Sequence, residues 1–146
     1  PTHTIDDMRW AEKRVGAELI NDAYRIQSFR EAGATVVFGT DWPVESLNPL
    51  VGIYAAVTRE ALDGGPAGGW HPREKMSLAD AVECYTLLPA YAEFAESRKG
   101  SLIPGKLADI VVLDQNIFEI DPAGLLETNV LLTMVDGRIT WREGRL

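Results

Sequence analysis

The feature that most constrains this chain is a six-residue run, Ala34-Thr35-Val36-Val37-Phe38-Gly39, set between an amphipathic stretch and the polar phrase Thr40-Asp41-Trp42-Pro43. Its β-branched and aromatic residues do not alternate with polar ones. Such a run reads as a strand covered on both faces, the kind found in parallel sheets. Upstream, Leu19, Ile20, Ala23, Tyr24, Ile26 and Phe29 share one broad face over residues 17–31, and Glu18, Asp22, Arg25 and Arg30 take the other. That spacing predicts a helix stopped by Gly33. Helix, glycine, buried strand is the rhythm of an α/β unit. A carboxylate just past the C-terminal end of such a strand, here Asp41, stands where these folds place their chemistry.

Two further helices follow. Asn48-Pro49 reads as a cap with proline at the first helical position, ahead of Leu50, Ile53, Tyr54, Ala56 and Val57. Ser77 with Asp80 three residues on is an acidic variant of the capping box, and Pro89 ends or kinks that helix. Between them, Asp63-Gly64-Gly65-Pro66-Ala67-Gly68-Gly69 is too glycine-rich for regular structure and reads as a loop, a lid or a plain connection. From about Gly100 the pattern turns to strands: residues 107–114, then 129–135 and 138–141 flanking Asp136-Gly137, a two-residue hairpin signal. The expected division is therefore an α/β portion over residues 1–99 and a β-rich portion over 100–146.

Composition narrows the class. With 146 residues the chain can form one ordinary core, and its net charge of -8 repels phosphate backbones, so no nucleic-acid partner is expected. No apolar run approaches the roughly 20 residues of a membrane helix, so no membrane association is expected either. The single cysteine, Cys84, cannot form an internal disulfide, which fits a cytoplasmic setting. It lies among apolar helix positions and reads as a small core residue.

Several phrases, in order, resemble the amidohydrolase superfamily, and most closely the branch called amidohydrolase family 3, with its formamide deformylase-like and aminoacylase-like enzymes. They are Pro1-Thr2-His3, residues 38–45 (FGTDWPVE), residues 55–59 (AAVTR), Tyr85-Thr86, and residues 100–114 (GSLIPGKLADIVVLD). The resemblance covers essentially the whole chain. It implies an α/β fold: the C-terminal fragment of a (β/α)8 metal-dependent hydrolase barrel, with the last strand and its flanking helices, plus part of a small β-sandwich domain. Residues 1–99 would be the end of strand seven, strand eight and the terminal helices, and residues 100–146 the sandwich segment. It also implies hydrolysis of amide or related C–N bonds by a metal-activated water, with a divalent metal, expected to be zinc, and a small-molecule amide-type substrate.

On this resemblance Asp41 is both metal ligand and catalytic proton shuttle, and His3 and Trp42 border the substrate pocket. Each residue also has a plainer reading. Asp41 suits a turn in which its carboxylate bonds nearby amides. His3 could be a terminal residue and nothing more, Trp42 could pack under its loop, and Arg59 could form a buried ion pair or cap a helix end. The family's His-x-His pair is absent from these residues, and His3 and His71 are the only histidines. This chain alone is accordingly expected to bind no metal tightly and to be inactive, with an N-terminal barrel portion as its missing partner. The other reading is a non-catalytic, stand-alone fold or interaction module derived from an amidohydrolase. A buried-type strand with open edges predicts a homo-oligomer in either case.

Overall fold

A computed structural model describes residues 1–144. Five helices precede a small sheet: α1 (Thr2–Leu19), α2 (Ile26–Glu31), α3 (Pro49–Thr58), α4 (Leu78–Tyr85) and α5 (Leu87–Ala92), then β1 (Ile110–Leu113), β2 (Val130–Val135) and β3 (Arg138–Arg142). Short 3-10 turns occur at Ile20–Asp22, Pro72–Glu74 and Pro122–Glu127. The chain is thus of mixed α and β type, helical first and antiparallel β afterwards.

The centre is α3. Nearly every side of it is apolar, and a helix of that kind has to be surrounded. Its N-terminus is capped by Asn48, whose side chain accepts from the Leu50 amide at 3.0 Å, with Pro49 in the first turn. Leu50, Ile53, Tyr54 and Ala56 join Met76, Ala81, Cys84, Ile117 and Leu125 in one buried cluster. Around α3 pack α1, α4 and the 3-10 turn Pro122–Glu127. In α4, Ser77 caps by accepting from the Asp80 amide at 3.1 Å, while its own hydroxyl donates to the Asp80 carboxylate at 2.6 Å. The helix breaks at Thr86, three residues before Pro89, and resumes as α5.

Two expectations are corrected. The helix expected over 17–31 is divided: α1 begins at Thr2, is kinked at Gly16 (φ 86°), and is separated from α2 by an extended Ala23 and a left-handed Tyr24 (φ 53°). The run 34–39 forms no strand, because no described strand lies beside it to complete a ladder. Nor is it covered on both faces: Val36 and Phe38 pack on the core, while Val37 is 44% exposed.

The run is still held in place. The Phe38 amide donates to the Cys84 carbonyl at 2.9 Å, and the Phe38 ring meets Tyr85 edge-on at 5.3 Å between centroids. Arg30 of α2 reaches α4, donating to Asp80 at 2.8 Å, Glu83 at 3.2 Å and the Cys84 sulfur at 3.3 Å. Together these contacts fix both ends of the segment that leads to Asp41.

The sheet has order β1-β2-β3, all antiparallel, with Ile110 opposite Met134 and Val135 opposite Arg138. Its hairpin turns at Asp136 (φ 49°) and Gly137 (φ 75°), the two positive values a tight primed turn requires. The Asp136 amide is held by Asp109, 2.8 Å away. Lys106 donates to the Ser101 hydroxyl at 2.7 Å and to the Glu96 carbonyl, and so gathers the passage from α5 to β1.

Two tests of this scaffold follow from its closest contacts. A Cβ at Gly52 would lie 1.8 Å from the Tyr85 hydroxyl oxygen, so Gly52→Ala is expected to cost about 1–3 kcal/mol in urea unfolding, with part of the loss recovered in Gly52→Ala/Tyr85→Phe. Glu74 accepts from both the amide and the hydroxyl of Ser28. Burial pushes its carboxyl up, but the two bonds from Ser28, together with the positive charges of Arg59 and Arg25, hold it below its ordinary value. Its stabilising contribution is therefore full above the ordinary carboxylate pKa and is lost as pH falls through the lower folded value. Ser28→Ala should flatten that acid limb in stability measured against pH; an unchanged limb would remove Glu74 as its source.

Candidate functional site

Asp41 follows the anchored segment 34–39 and opens a turn in which its own carbonyl accepts from the Val44 amide at 2.9 Å. Its φ is 52°, a left-handed conformation that asparagine and aspartate tolerate better than most residues. The side chain is exposed, and the neighbouring Trp42 is 61% exposed. The structure thus puts the carboxylate and a large aromatic face side by side at the surface. The turn leads through Asn48 into α3, so its far end is pinned to the most buried helix of the fold.

His3 lies in the first turn of α1 and is half-buried between buried Thr2 and Thr4. It is near enough to Glu45 for their charges to interact. Glu45 is pushed above the ordinary carboxylate value, first by burial and next by repulsion from Asp6, with Asp7 adding to it and His3 opposing it. The Asp41–Glu45 turn and the start of α1 therefore form one acidic corner.

His71 is elsewhere. It has φ 48° and stacks edge-on against Trp70, with 4.4 Å between ring centroids. That contact makes it part of a packed aromatic group. Trp70 also meets Tyr24 at 5.7 Å and lies under the Arg59 guanidinium at 5.5 Å. Tyr24 donates its hydroxyl to Asp7; burial first, and then that bond, raise its pKa to about 12.

No group of three or more His, Cys, Asp and Glu side chains that could hold a metal ion exists among the described residues. Asp41 stands on an exposed turn, His3 on α1 and His71 on the aromatic group, so these donors are not gathered into one such group. What the turn offers is an exposed carboxylate, Asp41, next to an exposed aromatic residue, Trp42.

Sequence reasoning read Arg59 only as structural, as an ion-pair partner or a helix-end cap. It is the largest fully buried side chain among the described residues, 1% exposed, and caps the C-terminus of α3 in a left-handed conformation, φ 54°. Its Nε donates to the Trp70 carbonyl at 2.6 Å and its Nη1 to the Tyr24 carbonyl at 3.2 Å. Burial lowers its pKa, with Glu74 pulling the other way. Both acceptors are backbone atoms far along the chain, so no pattern of side chains in the sequence announces them.

With this geometry in hand, similarity to known proteins is informative. The amidohydrolase family profile matches residues 1–141. The chain is 37% identical over 139 residues to the protein LONG AFTER FAR-RED 3 of Arabidopsis thaliana, covering 94% of this chain and 23% of that protein. It is 33% identical over 114 residues to the N-substituted formamide deformylase of Arthrobacter pascens, covering 78% of this chain and 20% of that one. Among solved structures, an amidohydrolase from Thermotoga maritima shares its fold over 81% of this chain and 26% of that chain, with a TM-score of 0.60 at 24% identity. The chain spans about a quarter or less of the length of these curated relatives. It belongs to the amidohydrolase family.

Proposed function

We propose that this chain is the C-terminal part of a metal-dependent hydrolase that cleaves amide or related C–N bonds, with Asp41 as its proton shuttle and as one of its metal ligands. The observation that carries the reading is the placement of Asp41. A family match runs through it, the segment before it is anchored on α4, and among the described residues no side chain bonds its carboxylate. The similarity to a protein named as an N-substituted formamide deformylase supports a C–N bond as the target and a small amide-type molecule as substrate.

A bound divalent metal, zinc by preference, would supply an acidified water and polarise the carbonyl. Asp41 contributes one ligand at most, and the other donors would come from an N-terminal barrel portion of the longer protein. The carboxylate of Asp41 takes a proton from the attacking water and delivers it to the departing nitrogen. Trp42 offers an apolar face to the acyl or amine substituent, and His3 borders the same pocket. In this reading residues 1–99 close the barrel and residues 100–146 belong to the small sandwich domain, in a cytoplasmic enzyme.

We also propose self-association through the sheet. Val111, Val135, Ile139 and Trp141 are all close to half exposed, an apolar load that isolated strands rarely leave uncovered. A homo-oligomer is expected by light scattering, and a clean monomer at high concentration would overturn it.

The catalytic reading is tested in the complete protein with Asp41→Asn on a simple N-substituted formamide. General acid–base catalysis of this kind contributes roughly 100- to 10,000-fold, so kcat/KM should fall by about that range while the melting temperature stays unchanged. Wild-type turnover in the variant would sink the assignment. Trp42→Ala should raise KM several-fold with a smaller change in kcat.

A further inference from the structure

The sheet has two open edges. β1 and β3 are each paired with β2 alone. Among the described residues no other backbone hydrogen bond reaches residues 110–113 or 138–142. A row of unpaired amides and carbonyls is a template for a further strand. The two edges differ in what surrounds them and in the charges at their ends.

The β1 edge borders a groove. A cavity of about 720 Å³ separates it from α4 and α5, with Leu87, Ala90, Ile110, Val111 and Phe118 in its lining. Successive strand residues project to opposite faces of a sheet. Ile110 and Val111 both border the cavity, so it runs along the edge of β1 and not over one face. Unpaired backbone beside an apolar wall is the arrangement that receives an added strand. The β3 edge has no such cover: all five of its residues are exposed.

The ends of the two edges carry opposite charges. β1 lies between Asp109 and Asp114, and β3 begins at Arg138 and ends at Arg142. Among the described residues none of the four is in an ion pair. The carboxylates are five residues apart, about 17 Å along a strand, and the arginines four, about 13 Å. The reach of an arginine side chain covers that difference. Placing β1 beside β1 sets aspartate against aspartate, and placing β3 beside β3 sets arginine against arginine. Like charges directly opposite destabilise a pair of strands. β1 beside β3 of another copy matches acid with base at both ends. Asp136 and Glu143 lie just outside β3 and leave the strand's own ends basic. The irregularity in the β2–β3 ladder puts Trp141 opposite Thr133 and Ile139 opposite Met134, so each face of β3 carries one large apolar side chain. One of the two meets the groove wall whichever face is turned to it.

We propose that the groove beside β1 binds β3 of a second copy of this chain, continuing the sheet from one molecule into the next. The inference rests on the homo-oligomer proposed above and names the surfaces that form it. Backbone bonds between the strands supply the pairing. Asp109 and Asp114, set against Arg138 and Arg142, select the partner edge, and Trp141 or Ile139 fills the groove. The contact is heterologous, because the donor edge and the groove are different surfaces. Each molecule carries one of each, so a molecule that has lost one still offers the other.

The test uses the complete protein, with self-association measured by sedimentation equilibrium. Arg138→Glu/Arg142→Glu spoils the donor strand, and Val111→Glu spoils the groove. Each alone is expected to associate about tenfold more weakly than wild type. Mixed in equal amounts they should form a one-to-one complex, since the first keeps its groove and the second its strand. Arg138→Lys/Arg142→Lys keeps both charges and should associate as wild type does. Wild-type association in either glutamate variant, or a mixture that stays apart, overturns the groove contact and leaves the homo-oligomer to another surface. If the paired glutamate variant does not fold, Val111→Glu decides alone. A monomeric wild type overturns the homo-oligomer and this contact with it. Protection of β1 amides from hydrogen exchange in that monomer would assign the groove to a strand from elsewhere in the same polypeptide.

Discussion

The near-contact between α3 and Tyr85 governs the rest of the helical portion. Gly52 carries no side chain, so the Tyr85 ring can lie directly against the α3 backbone. Only then can Phe38 lean on that ring, and only with Phe38 seated does the segment 34–39 follow the end of α4. Asp41 inherits its place from this chain of contacts. A carboxylate on an exposed turn has little to fix it locally, so its position is decided by the packing on either side of the turn.

The two ends of α3 have different characters. At the N-terminal end Asn48 and Pro49 form an ordinary cap, and the turn before it projects Asp41 and Trp42 outwards. At the C-terminal end a buried arginine replaces the usual glycine in a left-handed cap and spends two of its nitrogens on distant backbone carbonyls. Its third, Nη2, has no partner among the described residues. A helix of ten residues therefore links a permissive, solvent-facing end to a rigid, desolvated one.

Much of this was legible in the sequence where local rules decide. Asn48-Pro49, Ser77 with Asp80, and Asp136-Gly137 act through their immediate neighbours, and the structure forms the two caps and the hairpin at those residues. The phrases from Pro1 to Asp114 also pointed to the family that the comparison identifies. The run 34–39 was misread because β-branched composition records what a segment suits, while a ladder needs neighbouring strands. The division at residues 20–24 was missed because apolar spacing continued across it, although the backbone turned at Tyr24. For Arg59 the helix-end cap was foreseen, but its partners carried no signal: they are carbonyls at Tyr24 and Trp70, which every residue type carries.

The register of the sheet has a consequence for the order in which the molecule assembles. Its β2–β3 pairing joins Val135 to Arg138, a short closure along the chain. The helical portion instead depends on links such as Arg30 to Asp80, 50 residues apart. Longer closures cost more chain entropy before any contact rewards them. The β2–β3 hairpin can therefore close on its own, while the docking of α2 on α4 waits for the longer closure.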